Sequence, residues 1–113
     1  MGFDKWNDFS PVFTGLTVVG ATTYTGRYRK SGKLVYIQVR FSAATSIAST
    51  AGTTYMALPI AAKGLAGTGI MTNSTTNAGV GLCHVDVTNS RLWLPTQAVS
   101  GNVFTLFGEY EIS

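Results

Sequence analysis

Leu34-Val35-Tyr36-Ile37-Gln38-Val39-Arg40-Phe41-Ser42 is the stretch whose reading decides the fold. Val35, Ile37, Val39 and Phe41 take every second position, and Leu34, Tyr36, Gln38 and Arg40 take the positions between. Successive side chains of a strand point to opposite faces, so this alternation predicts one purely apolar face and one mixed face. The apolar face lines a core. The mixed face, with Tyr36, Gln38 and Arg40, suits a subunit contact or a wet surface.

Upstream, Tyr24–Arg29 (YTGRYR) reads as a partner strand, and Lys30-Ser31-Gly32-Lys33 supplies turn chemistry, with Gly32 free to take positive φ. Val12–Val19 (VFTGLTVV) is β-branched and aromatic and reads as a further strand. Downstream, Thr53–Ala57 is a strand stopped by Leu58-Pro59, and Ala66–Thr72 is a glycine-broken one. Asn73–Asn77 (NSTTN) is a polar turn. Val80–Thr88 alternates again, setting Val80, Leu82, His84 and Asp86 against Gly81, Cys83, Val85 and Val87. Asn89-Ser90 turns the chain into Arg91–Leu94, which Pro95 ends because proline cannot donate to a ladder. Phe104–Ile112 closes the series, with Phe104, Leu106, Tyr110 and Ile112 on one parity. Ala43–Ala51 (AATSIASTA) lacks the three-to-four apolar spacing that docks a helix and reads as a loop or short turn.

About eight short strands, with turn signals every dozen residues or so, predict an all-β chain: a single antiparallel β-sandwich or jelly roll over residues 10–113. Residues 1–9 (MGFDKWNDF) differ, being polar with Phe3, Trp6 and Phe9 embedded. Apolar surface costs roughly 25 cal/mol per Å² in water. Three aromatics in so short a stretch therefore read as an N-terminal arm that grips a neighbouring subunit.

The 113 residues are enough for one core. Charged residues make up only 12% against 45% hydrophobic, where roughly 25% charged is ordinary. Thr, Ser, Gly and Asn supply the missing polarity, which suits strands and a surface partly covered by copies of itself. The net charge is +3. Arg27, Arg29, Lys30 and Lys33 crowd one hairpin, read as a solvated tip; nucleic-acid binding asks for a wider basic stripe. The single cysteine, Cys83, excludes an intrachain disulfide and fits a reducing cytoplasm. The chain has neither a signal-peptide pattern nor an apolar run of roughly 20 residues, so no membrane insertion is expected.

Chemistry-bearing patterns are sparse. His84 is the only histidine; on a strand it points away from Cys83 and shares a face with Asp86, with no nucleophile beside it. Glu109 and Glu111 share a face but read as solvated. Gly64–Gly69 (GLAGTG) lacks the lysine and the strand-to-helix setting of a phosphate loop. No catalytic, metal or cofactor site is expected. Flat aromatics are candidate sugar platforms, Tyr55 and Trp93 foremost.

The run Tyr24-Thr25-Gly26-Arg27-Tyr28-Arg29-Lys30-Ser31-Gly32-Lys33-Leu34-Val35-Tyr36-Ile37 resembles a motif of bacteriophage structural proteins, in which a GRY-x-K-x-G turn leads into a long valine-rich strand. Pro11-Val12-Phe13-Thr14-Gly15, Leu58-Pro59 and the closing Phe104–Ile112 resemble other steps of the same family, so the resemblance runs from about Ser10 to Ile112. It implies a jelly-roll or sandwich unit, usually a homotrimer, of the kind that forms tail-fibre tips, head fibres and decoration proteins. Such units are structural or adhesive, not enzymes. Tail-fibre versions usually follow a long shaft, whereas about nine residues precede the domain here. The expectation is therefore a trimeric capsid decoration (cement) protein on the virion, assembled in the host cytoplasm. It would bind itself and the major capsid protein, with Phe3, Trp6 and Phe9 of the arm as the capsid grip, and no nucleic acid. The alternative is a tail-tip adhesin that binds a host surface glycan.

Overall fold

The computed structural model describes residues 5–64, 67–100 and 103–112, and all of the regular structure among them is β-strand. The strands are β1 (Asn7–Phe9), β2 (Phe13–Thr14), β3 (Thr17–Val19), β4 (Thr22–Ser31), β5 (Leu34–Ala43), β6 (Ser46–Ser49), β7 (Tyr55–Ala57), β8 (Gly67–Asn73), β9 (Ala78–Asp86), β10 (Arg91–Trp93), β11 (Gln97–Ser100) and β12 (Val103–Glu111). Nine of them form one antiparallel sheet in the order β1-β4-β5-β12-β8-β9-β10-β7-β2, and β11-β6-β3 form a second, smaller one.

The β4–β5 hairpin is the spine. Its register runs unbroken from Thr22↔Ala43 to Ser31↔Leu34, closed by Gly32-Lys33 with Gly32 at φ 62°. β5 is paired to β4 along its whole length and to β12 along all but its last residue. That two-sided pairing is why its alternation reads so cleanly. Val35, Ile37, Val39 and Phe41 are all buried, as are Phe104, Leu106 and Tyr110 opposite them on β12.

The large sheet curls into a half-barrel around this apolar face. β2 and β4 stand seven places apart in the strand order. Laid flat at about 4.8 Å per strand, they would be more than ~30 Å apart. Yet the Phe13 ring of β2 lies 5.6 Å from Tyr24 of β4 and 4.7 Å from Phe41 of β5. Phe41 in turn stacks on Phe104 at 5.7 Å. Met56, Met71, Val85 and Leu92 complete the inner face, and Ile47 of the smaller sheet joins the same core.

Several buried polar groups have hydrogen-bond partners. The Tyr110 hydroxyl donates to the Ile60 carbonyl at 2.8 Å and accepts from the Ile60 amide at 3.2 Å. Burial outweighs that bond and pushes its ionisation up to about 12. Asn73, also buried, accepts the amides of Thr75 and Thr76 through Oδ1 and so builds the turn expected there. Cys83 faces the core, and desolvation raises its thiol to about 12. Only the thiolate is nucleophilic. In the folded protein at pH 8, Cys83 is therefore expected to resist Ellman's reagent and to react fully once urea unfolds the chain. Prompt stoichiometric labelling without denaturant would contradict this burial.

Strand β11 has no counterpart in the sequence reading, and three further stretches differ from it. The stretch 12–19 is two strands in different sheets, because the buried Thr54 hydroxyl donates to the Gly15 carbonyl and takes it out of any ladder. Residues 43–51, read as a loop, carry β6. Residues 7–9, assigned to an arm, pair with β4 through Asn7↔Tyr28 and Phe9↔Gly26.

Candidate functional site

Strand alternation sends every second side chain of the curled sheet to its outer face, and three groups there have the chemistry to bind something.

The first lies over β4 and β5. Arg27 and Gln38 are register partners, and the Arg27 guanidinium donates to Gln38 Oε1 from Nε (2.9 Å) and Nη2 (2.6 Å). Arg29 and Tyr36 are the next outer pair, with Arg29 Cζ 5.6 Å from the Tyr36 ring. Trp6 sits under both arginines, its ring 4.5 Å from Arg27 Cζ and 4.8 Å from Arg29 Cζ. An exposed cation–π contact contributes about 0.5–1 kcal/mol. Two such contacts tether Trp6 to its own sheet. The basic residues are thus not one hairpin tip: Lys33 is in the turn and Lys30 beside it, while Arg27 and Arg29 stand further back along β4. Phe9 packs edge-on against Tyr28 at 6.0 Å. Phe3 lies outside the described residues.

The second group is an apolar row. Phe107 of β12 is the register partner of Ile70 on β8, and Ile70 is the partner of Leu82 on β9. These three side chains stand abreast on the outer face, 47%, 48% and 74% exposed. Gln38 of β5 continues the row on the far side of Phe107. Thr25, Arg27, Gln38, Arg40, Thr105 and Phe107 border an open groove of about 430 Å³ beside it.

The third group lies across β7, β10 and β9. Tyr55 and Trp93 are register partners with ring centroids 4.7 Å apart and planes at 57°. Arg91 places its Cζ 4.2 Å from the Tyr55 ring and 6.0 Å from that of Trp93. Asp86 anchors the assembly, accepting from the Trp93 indole Nε1 at 3.2 Å and from the Asn89 amide and side chain at 3.1 and 2.9 Å. The Asn89 side chain first, then Trp93, hold the Asp86 carboxyl below the usual carboxylate range. His84 shares the outer face beside Trp93. Asp86, on the same face, accepts from the turn and from the indole. Among the described residues no three His, Cys, Asp or Glu side chains come together as metal ligands.

No family model, curated protein or solved structure matches this chain.

Tyr36, Gln38, Arg40, Tyr55 and Trp93 were all nominated by the sequence, and the structure brings them to one face of one sheet. Phe107, Ile70 and Leu82 were not nominated. Phe107 is out of phase with Phe104 and Leu106 on its own strand. Its off-phase position was the available signal, but only the register shows that three such residues are neighbours.

Proposed function

We propose that this chain is a non-enzymatic structural protein of a bacteriophage particle, a decoration or cement protein whose β-sandwich units cover a junction between major capsid subunits. The observation that carries the reading is the outer-face row of Phe107, Ile70 and Leu82. Exposed apolar side chains in contiguous rows are features of surfaces that another protein covers. The low charge content points the same way, because it leaves few groups to keep such a surface in water. The phage-like hairpin and closing strand supply the particle, and the homotrimer and jelly-roll form are what that resemblance implies. The action is mechanical: bound copies tie capsid subunits together against internal DNA pressure.

Immunogold electron microscopy of virions from the phage that encodes the chain tests this directly. Dense, regular labelling over the head is the expected result, and unlabelled particles would overturn the reading.

One observation favours a second reading, a tail-tip adhesin. Tyr55 and Trp93 form an adjoining aromatic pair with Arg91 beside it, and aromatic faces stack on saccharide rings. Label confined to the tail tip, with Trp93 fluorescence changed by host surface glycan, would select it.

A further inference from the structure

We infer that the cluster of Tyr55, Trp93 and Arg91 is a site for an acidic saccharide, a pyranose ring that carries a carboxylate. The inference rests on the reading of this site as the saccharide platform of an adhesin, and it names the class of sugar selected there.

The platform is held in place before any ligand arrives. Tyr55 of β7, Trp93 of β10 and His84 of β9 are register partners in one outer-face row. Leu92, between Arg91 and Trp93, is fully buried, so its two neighbours face outward together. The Trp93 indole is fixed through Nε1, which donates to Asp86 Oδ2 at 3.2 Å, and the same oxygen accepts from the Asn89 side chain at 2.9 Å. A ring already fixed loses little freedom when a ligand stacks on it.

Arg91 makes the site selective. It is the register partner of Asp86, yet the two do not pair: Asp86 directs one oxygen to the Asn89 amide and the other to the Asn89 side chain and the indole. Among the described residues nothing accepts a hydrogen bond from Arg91, whose recorded contacts are with rings. Its Cζ lies 4.2 Å from the Tyr55 ring and 6.0 Å from that of Trp93. Stacking engages the flat face of a guanidinium and leaves its N–H edge for an acceptor from outside the chain. That planar fork matches a carboxylate, which takes two parallel charge-assisted bonds. With a pyranose laid on the indole, the guanidinium stands at the sugar's rim, where a carboxyl substituent projects. A bare anion would leave the Trp93 face uncovered, and a neutral sugar would leave the fork unfilled. An acidic sugar satisfies both.

Fluorescence titration of the full chain carrying Trp6→Phe, which leaves Trp93 as the reporter, tests the site at fixed ionic strength. The probes are trigalacturonate and N-acetylneuraminate, each beside its methyl ester, with acetate as the bare anion. At least one acid is expected to bind with Kd in about the millimolar range, about 10-fold or more tighter than its ester or acetate. The first probe is a uronic acid and the second a ulosonic acid with its carboxyl on the anomeric carbon, so the one that binds identifies the source. Arg91→Met, uncharged and of similar length, should bring acid and ester to within about 2-fold of each other while the circular dichroism stays unchanged. Esters that bind as tightly as acids would overturn the acidic selection and leave a saccharide platform standing. Acetate binding as tightly as the sugars, or an acid preference that survives Arg91→Met, would overturn the assignment to this cluster. No response to any probe would overturn the acidic site, while labelling of the tail tip decides the adhesin reading separately.

Discussion

Phe41→Ala is expected to lower the unfolding free energy by about 3–5 kcal/mol, a large share of the 5–15 kcal/mol typical of a domain. Phe41 is completely buried in the middle of the sheet. Its ring is held between Phe104, from the neighbouring strand, and Phe13, from the strand at the far edge. The first contact is sheet packing. The second joins the two ends of the curl, since Phe13 also reaches Tyr24 across seven strand positions. Truncation to alanine thus leaves a cavity and also cuts the aromatic chain that closes the half-barrel. Urea unfolding followed by near-ultraviolet circular dichroism measures both effects: the midpoint reports the stability and the slope reports any loosening of the folded state. Phe107→Ala, on the same sheet but facing water, is the control and should fall within about 0.5 kcal/mol of the parent. A Phe41→Ala cost below about 1.5 kcal/mol would mean that backbone ladders alone hold the curl.

The contrast between Phe41 and Phe107 also marks what the sequence discloses. Alternation within one strand is local, so the inner faces of β5 and β12 were legible from Val35, Ile37, Val39, Phe41, Phe104, Leu106 and Tyr110 alone. The strand β6 was not. Its two buried residues are Ile47 and Ser49, and Ser49 is buried by donating to the Pro95 carbonyl at 2.6 Å, an attachment 46 residues away that leaves no apolar signature. The division of residues 12–19 is hidden in the same way, because it depends on Thr54 reaching Gly15. The candidate sites follow this rule. Tyr55 and Trp93 were legible as aromatics but not as a pair, since their adjacency comes from the register of β7 and β10. The row Phe107–Ile70–Leu82 is made by two registers at once, each joining residues that are individually unremarkable.

Gly26 carries the same lesson to its sharpest test. Strand preference alone favours Gly26→Val, because a β-branched residue suits a strand and glycine weakens one. Packing predicts the opposite, with a larger magnitude. Gly26 lies on the inner face of β4, between Phe9 of β1 and Val39 of β5. A Cβ there would stand 2.8 Å from Pro11 Cγ and 2.9 Å from Phe9 Cε1. Separations below 3.0 Å cannot be absorbed without movement, and neither obstacle is a flexible side-chain end: Pro11 is a buried ring and Phe9 is fixed in the ladder. The two Cγ atoms of valine add to the overlap. The segment 9–11 must therefore lift off β4, uncovering Tyr28 and breaking the β1 pairing. We expect Gly26→Val to cost more than about 3 kcal/mol, against a few tenths gained from propensity. At roughly 4–8 °C per kcal/mol for a chain of about this size, that is a fall in Tm of more than ~12 °C. Truncation after Phe9 separates the causes. In a chain lacking residues 1–9 the Phe9 clash is gone and only Pro11 remains, so Gly26→Val should cost distinctly less than in the full chain. Equal losses in both backgrounds would place the strain elsewhere, and a Tm unchanged by Gly26→Val would show that the edge strand does not lie against β4 as described.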